Sequence, residues 1–318
     1  MKAIVQDRYG SPDFLELREV ERPVVGDDQV LVQVHAASVN AADWHLTHRL
    51  PHLIGKAMRM PSNRVRGADL AGRVEAVGRN VTRFRPGDEV FGTGSGSFAE
   101  YAAASVDRLA PKPATLTFDE AAAIPIAGCT ALQGLRDHAN VQPGQRVLVY
   151  GAGGGVGTFA VQVAKALGAD VTAVTCTENV ELVRSIGADE VIDYARQDFT
   201  RMGGRHDVGF DVGADRSWAE WRRVLDPDGR LVGCGAPSGS LAKLLVLVMM
   251  MRKPRPGSRR VAFMARIRHG DLLALKELAE SGKLTPVIDR RYALREAPEA
   301  LRYLGSRRAR GKLVITVA

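Results

Sequence analysis

Cysteine is scarce: Cys129, Cys176 and Cys234 are the only three in 318 residues. They lie far apart, with no CxxC pair and no cysteine–histidine cluster. This argues against a disulfide framework and a cysteine-rich zinc lobe. Long apolar runs are also lacking. The most apolar stretch, 241–251, is interrupted by Lys243, and a bilayer span needs about 20 apolar residues. The opening MKAIVQ reads as a strand rather than a charged start followed by an apolar core. No signal peptide and no membrane association are therefore expected, and the expected location is cytoplasmic. Charge of one sign is not gathered into tails, and the net charge of +8 is mild for this length. The densest basic run is Arg252, Lys253, Arg255, Arg259 and Arg260, broken by two prolines and a glycine. Without an adjoining aromatic platform it reads as a solvated loop, or alternatively as a site for anions or nucleic acid.

What is present is the balance of an ordinary soluble globular protein, 45% hydrophobic and 25% charged. The length suits about two domains of roughly 150 residues. The first third is rich in short β patterns, such as 30–34 and 72–77, separated by Gly10-Ser11-Pro12, Gly26-Asp27-Asp28 and Arg85-Pro86-Gly87-Asp88. That punctuation predicts a compact, barrel-like β unit. From Phe118 onward, short apolar runs alternate with helical stretches. Strands are predicted at 146–150, 171–174, 191–192, 208–212 and 231–234, and helices at 156–167 and 180–186. Strand–helix repetition of this kind gives an α/β, doubly wound parallel sheet. The expected division is one domain from 121–265 and another from 1–120 with 266–318. The tail holds helices near 272–280 and 298–304 and a final strand at 313–317.

The strongest local signal is Tyr150-Gly151-Ala152-Gly153-Gly154-Gly155-Val156-Gly157. It follows an apolar strand and opens an amphipathic helix, the context that a dinucleotide fingerprint requires. Glycine lets the strand turn sharply, admits a pyrophosphate close to the backbone and allows tight helix–strand packing. Free N–H groups at the helix start then meet the phosphate charge. Thr175 stands at the end of the next strand, where NAD binders usually place an acid. A hydroxyl there favours NADP. Glu178 would repel a 2′-phosphate if it faced one, or else is a solvated acid in the first turn of the next helix.

The chain resembles the medium-chain dehydrogenase/reductase superfamily, and is most similar to its zinc-independent quinone oxidoreductase branch. The blocks that carry the resemblance include VLVQVHAASVNAADWHL, GADLAGRVEAVG, FRPGDEVFG, AAAIPIAGCTALQGL, VLVYGAGGGVGTFAVQVAKALGA, GADEVIDY and ARGKLVITV. It implies a GroES-like β-rich catalytic domain, built from both chain ends, and a Rossmann domain, with the active site in the cleft between them. Zinc-dependent relatives bind the catalytic metal through a Cys, a His and a second Cys. Asn40, Ala68 and Ile126 stand at those positions here. An amide, a methyl and a branched alkyl group cannot make a tetrahedral zinc site, so no metal is expected. The resemblance gives Cys129 the role of core filler and makes neither Cys176 nor Cys234 a nucleophile.

Without a Lewis acid, simple alcohol oxidation is disfavoured because it needs a stabilised alkoxide. Hydride transfer from NADPH (or NADH) to a quinone or an activated C=C or carbonyl acceptor fits better. The competing readings are an enoyl-thioester or aldehyde reductase of the same superfamily, and an NADPH-binding protein with an RNA-interaction role. The resemblance implies catalytic roles for Asn40 and Asp43. Asn40 either faces nicotinamide and substrate or caps a loop. Asp43 either orients Asn40 or caps the following helix. His45 and His48 are candidate proton donors or surface residues, and Trp44 is a pocket wall or core. Cofactor contacts are implied for Thr130, Gly154, Gly155, Val156, Thr175, Thr177, Asn179, Tyr194, Gly235, Ala236, Phe263 and Lys312. Asn179 stands where some NADPH-dependent members carry Lys. A homodimer is implied too, with 244–251 either at that contact or over the cleft.

Overall fold

The computed structural model describes residues 1–8, 10–48, 64–234 and 258–317. The side chain of His48 lies outside them, as do 49–63, 244–251, Gly235, Ala236, Arg252, Lys253 and Arg255, for which the sequence raises expectations. The chain divides into two units. One comprises Met1–Ile126, Ile267–Glu280 and Pro286–Ala318; the other comprises Ala127–Arg266 and Ser281–Thr285.

The first unit is built on strands rich in β-branched residues and alanine. A hairpin-like pair joins β1 (Lys2–Gln6) to β2 (Leu15–Glu19). The main sheet has seven strands: β3 (Gln29–Val39), β4 (Asp69–Val77), β5 (Glu89–Thr93), β6 (Tyr101–Ser105), β7 (Leu109–Pro111), β14 (Ile288–Ala293) and β15 (Lys312–Thr316). β3 is long enough to serve two neighbours on one side. Its start pairs with β6 and its end with β15, while β4 runs along the other side. Alternation buries Val30, Val32 and Val34 with Leu70, Val74, Val90 and Leu109 in one core. Helix α1 (Ala41–His48) follows β3 directly. Helix α2 (Phe118–Ala122) begins at a capping box, with Thr117 and Glu120 satisfying each other's main-chain N–H groups. The tail adds α7 (His269–Glu280) and α8 (Ala297–Gly305). Trp44 of α1 is partly buried and packs against the core, where a Cβ on Gly305 of α8 would collide with its indole.

The second unit is a six-stranded, wholly parallel sheet. Its order is β10 (Glu190–Asp193), β9 (Asp170–Thr175), β8 (Arg146–Tyr150), β11 (His206–Asp211), β12 (Leu225–Gly233), β13 (Arg260–Ala262). In sequence rank this is 3-2-1-4-5-6, the doubly wound order whose direction reverses between β8 and β11. Its helices are α3 (Pro125–Leu132), running into a π-helical turn over Gln133–His138, then α4 (Gly155–Ala166), α5 (Val180–Ser185) and α6 (Trp218–Val224). α4 is buried over Gly157–Ala164 rather than along one stripe. Its small and β-branched residues permit close approach on several sides. Tyr150, Phe199 and Trp221 form an aromatic group in the core. No helix among the described residues is long and apolar enough to cross a membrane.

Candidate active site

Two constructions carry chemistry, one in each unit. The first is the turn between β8 and α4. Gly151 has φ +85°, a conformation that favours glycine. The N–H groups of Gly151 and Ala152 both donate to the Val174 carbonyl, at 3.1 Å, which ties the turn to β9. A Cβ on Gly157 would overlap the Gly151 carbonyl oxygen. A Cβ on Gly153 would overlap the Asn179 amide and lie 2.7 Å from Thr175 Oγ1. A Cβ on Gly154 meets nothing nearer than 3.5 Å. Gly154 is the N-cap and offers no side-chain acceptor. The first N–H groups of α4, on Gly155, Val156 and Gly157, have no carbonyl a turn behind them. A twelve-residue helix with an uncapped start and a glycine-lined approach fits a dinucleotide pyrophosphate.

Around this turn, Thr175 ends β9 as the sequence suggests, and it is buried with its hydroxyl beneath Gly153. Thr177 Oγ1 donates to Asp193 Oδ2 at 2.6 Å. That hydrogen bond holds the Asp193 carboxyl below its ordinary range, and the Ala195 N–H and the Arg196 charge add to it. Asn179 is buried, and its Oδ1 has no hydrogen-bond partner. Tyr194 is half exposed. Burial pushes its hydroxyl pKa up, and Cys176, Glu178 and Asp193 push it further. Thr130 is buried on α3. Phe263 is buried against His138, ring centroids 4.4 Å apart, and its N–H donates to the Gly233 carbonyl. Arg259 is held by Asp228, at 2.6 Å, and by the Pro227 carbonyl.

The second construction is a buried polar cluster in the first unit. Asp69, 0% exposed at the start of β4, is its hub. Asp69 Oδ2 accepts from Ser38 Oγ and from Asn40 Nδ2, both at 2.8 Å, and Oδ1 accepts from the Ile126 N–H at 3.1 Å. Lys312, 3% exposed at the start of β15, donates to Asn40 Oδ1 at 2.6 Å and lies 3.5 Å from Asp69 Oδ2. An ammonium can only donate and a carboxylate can only accept, so the two together fix which end of the Asn40 amide is which. The resemblance gives Lys312 to the cofactor; the structure gives its ammonium to Asn40 and Asp69. The segments at the three zinc-ligand positions therefore do meet, through Asp69 in place of a metal. Among the described residues, no group of three or more His, Cys, Asp or Glu is placed to hold a metal ion. Asp69 escapes sequence reasoning because it is one acid among many. Its place directly after Ala68, at the second ligand position, is the one available signal.

Asp43 Oδ2 accepts from the Asn40 main-chain N–H at 2.8 Å. This contact ties Asp43 to the main chain at the start of α1, while the Asn40 amide itself is held by Asp69 and Lys312. His45 on the same helix is exposed. Burial pushes the Asp43 carboxyl up to about 7, and Asp69 adds to this; the Asn40 N–H, Lys312 and Arg66 pull the other way. Between the ordinary value of 3.8 and about 7 the native state keeps a proton that the unfolded chain has lost. This group's contribution to stability therefore falls as pH rises through that window. Denaturant titrations near pH 5 and near pH 8 are expected to show wild type losing roughly 2–3 kcal/mol more than Asp43→Asn over that interval. Equal losses in the two proteins would refute the assignment.

An α/β unit in 3-2-1-4-5-6 order, a glycine turn and a β-rich companion unit define a two-domain dinucleotide-binding dehydrogenase or reductase. Known proteins agree. Residues 26–114 match the family described as Alcohol dehydrogenase GroES-like domain, and 186–315 match Zinc-binding dehydrogenase. A chloroplastic quinone-oxidoreductase from Triphysaria versicolor is 32% identical, covering 99% of this chain and 98% of that protein. A 2-methylene-furan-3-one reductase from Solanum lycopersicum is 36% identical, covering 99% of this chain and 79% of its own. The solved quinone oxidoreductase of Coxiella burnetii superposes with a TM-score of 0.87 at 29% identity, covering 100% of this chain and 99% of that one. The chain belongs to the medium-chain dehydrogenase/reductase superfamily, among its quinone oxidoreductases.

Proposed function

We propose that this protein is an NAD(P)H-dependent reductase whose acceptor is a quinone or a C=C bond conjugated to a carbonyl. The observation that carries the reading is the Lys312–Asn40–Asp69 cluster, standing where zinc relatives hold their metal. Asn40, Ala68 and Ile126 offer no ligand set, so nothing at these positions stabilises an alkoxide as zinc would. The acceptor must already be electrophilic. The two relatives above are named for a quinone and for a methylene-furanone, both conjugated carbonyl compounds.

The α4 N-terminus and Gly154 would hold the pyrophosphate, with Thr177, Asn179 and Tyr194 at the adenosine end. A nicotinamide dinucleotide, when bound, supplies the hydride. The protein's share is orientation and polarisation. Lys312 and Asp69 clamp the Asn40 amide in one orientation. One of its N–H bonds is committed to Asp69. The other points toward the Ser38 carbonyl at 3.4 Å, a weak contact that leaves it able to donate to an acceptor oxygen. Asp43 holds the same residue by its backbone. A homodimer belongs to this reading on the resemblance alone.

The test is oxidation of NADH and NADPH against a panel of quinones, enones, aldehydes and simple alcohols. Turnover is expected with quinones or enones, and at least about tenfold less with saturated aldehydes. No cofactor oxidation by any quinone or enone would overturn the reading, as would zinc-stimulated alcohol oxidation exceeding them.

A further inference from the structure

The starts of β11, β12 and β13 frame a cleft of about 710 Å³, lined in part by Arg205, Trp218, Arg222, Asp226, Pro227 and Arg259. We propose that this cleft binds a mononucleotide, with the phosphate on Arg205 and Arg222 and the base against Trp218. The site is separate from the glycine turn. The strands β8, β11, β12 and β13 run parallel, and the turn follows the carboxyl end of β8. The cleft therefore lies at the opposite end of the sheet, a strand length of roughly 17–20 Å away.

The backbone makes the space. β12 advances from Leu225 to Arg230 while β11 advances only from His206 to Val208. The surplus residues 226–229 bulge out of the ladder and form one wall. Helix α6 supplies another. Trp218 and Arg222 stand four residues apart, so they share a face of the helix. Trp218 is half-buried and packs on the core that holds Tyr150, Phe199 and Trp221, with part of its surface left to line the cleft. Arg259 belongs to the basic run that has no aromatic neighbour in sequence, and the fold sets Trp218 in the same cleft. The volume falls within that of small-molecule sites, about 300–1,000 Å³.

The lining is cationic and in part unpaired. Its one carboxylate, Asp226, accepts from Arg146 Nη2 at 2.7 Å and is neutralised by it. Arg259 faces Asp228 at 2.6 Å. Arg205 is exposed and gives one Nη1–H to the Leu225 carbonyl at 2.8 Å, which fixes its guanidinium and leaves its other donors available. Arg222 is exposed and has no hydrogen-bond or ion-pair partner among the described residues. An ionised phosphate offers only acceptors, which suits two guanidinium groups with donors to spare. A planar base suits an indole face and the apolar ring of Pro227 beside it. A mononucleotide joins these two chemistries in one molecule.

Calorimetric titration of the full chain with uridine 5′-monophosphate, uridine and inorganic phosphate tests this. The monophosphate is expected to bind a single site at least about tenfold more tightly than either fragment, since each fragment keeps one of the two contacts. Arg222→Glu reverses an exposed charge and should weaken the monophosphate by about tenfold or more. Trp218→Leu should weaken it by about tenfold and leave inorganic phosphate unchanged, with thermal unfolding as the check on folding. Both variants should keep wild-type affinity for NADH and NADPH, whose site is at the other end of the sheet. No binding of the monophosphate, or equal binding by wild type and Arg222→Glu, would overturn the proposal and leave the reductase reading intact. A short oligouridylate that binds where the monophosphate does not would overturn it too, because the cleft would then belong to a nucleic acid.

Discussion

Lys312→Met is expected to destabilise the protein by about 3–5 kcal/mol in urea or guanidinium unfolding, because it strips the positive partner from a buried carboxylate. Asp69 is 0% exposed and would keep only the neutral donors Ser38 Oγ, Asn40 Nδ2 and the Ile126 N–H. Burial pushes the Asp69 carboxyl up and the Lys312 ammonium down, both toward neutrality, and their mutual attraction opposes this. Methionine matches the lysine stem in length and apolarity, so the loss reports charge rather than a cavity. Asp69→Asn on the Lys312→Met background should recover most of the stability, since the uncompensated charge is then gone. The catalytic readout moves separately. Without Lys312 the Asn40 oxygen loses its 2.6 Å donor, so turnover should fall while dinucleotide affinity holds. A stability loss below about 1 kcal/mol would show that the cluster does not depend on the ammonium.

Gly157→Ala is expected to cost about 3 kcal/mol or more and to abolish measurable dinucleotide binding, through overpacking against backbone. Its Cβ would overlap the Gly151 carbonyl oxygen and stand 2.7 Å from Ala152 Cα. Neither can step aside without opening the turn that Val174 holds. Gly154→Ala is the matched control. Its Cβ meets only the Gly151 oxygen, at 3.5 Å, an ordinary contact. That variant should fold like wild type yet bind the dinucleotide more weakly, because the methyl group projects where the pyrophosphate must approach. Thermal unfolding and calorimetric titration separate the two cases. Equal behaviour of the two variants in both assays would contradict the assignment of space around the turn.

The difference between these glycines shows what sequence can and cannot carry. RVLVY followed by glycines and a helix-spaced run identifies β8, the turn and α4, since local periodicity and turn chemistry act within a few residues. Which glycine supports the turn and which is open depends on atoms brought together by the fold. α4 is similar: its start is legible, but its burial on several sides comes from packing. β12 begins at Leu225, well before the predicted 231–234, and carries Asp226-Pro227-Asp228-Gly229 through an irregularity in its pairing with β11. The hub Asp69 and its partner Lys312 are 243 positions apart, and Lys312 is 272 from Asn40, which no local pattern encodes. The resemblance locates Asn40 and Asp43. It leaves open whether Asp43 orients or caps; the structure adds a 2.8 Å contact from the Asn40 main-chain N–H to Asp43, which holds the start of α1.

Hydride delivery to an electrophilic carbon without zinc is the chemistry on which the proposed function stands. Its most direct test uses NADH, and NADPH in parallel, deuterated at the transferable position of the reduced nicotinamide, with an α,β-unsaturated ketone and a metal chelator present. Expected are cofactor oxidation at a rate the chelator does not diminish and one deuterium on the β-carbon of the saturated ketone, with the α-proton drawn from solvent. Saturated ketone without deuterium, or activity that disappears with the chelator and returns with zinc, would contradict it.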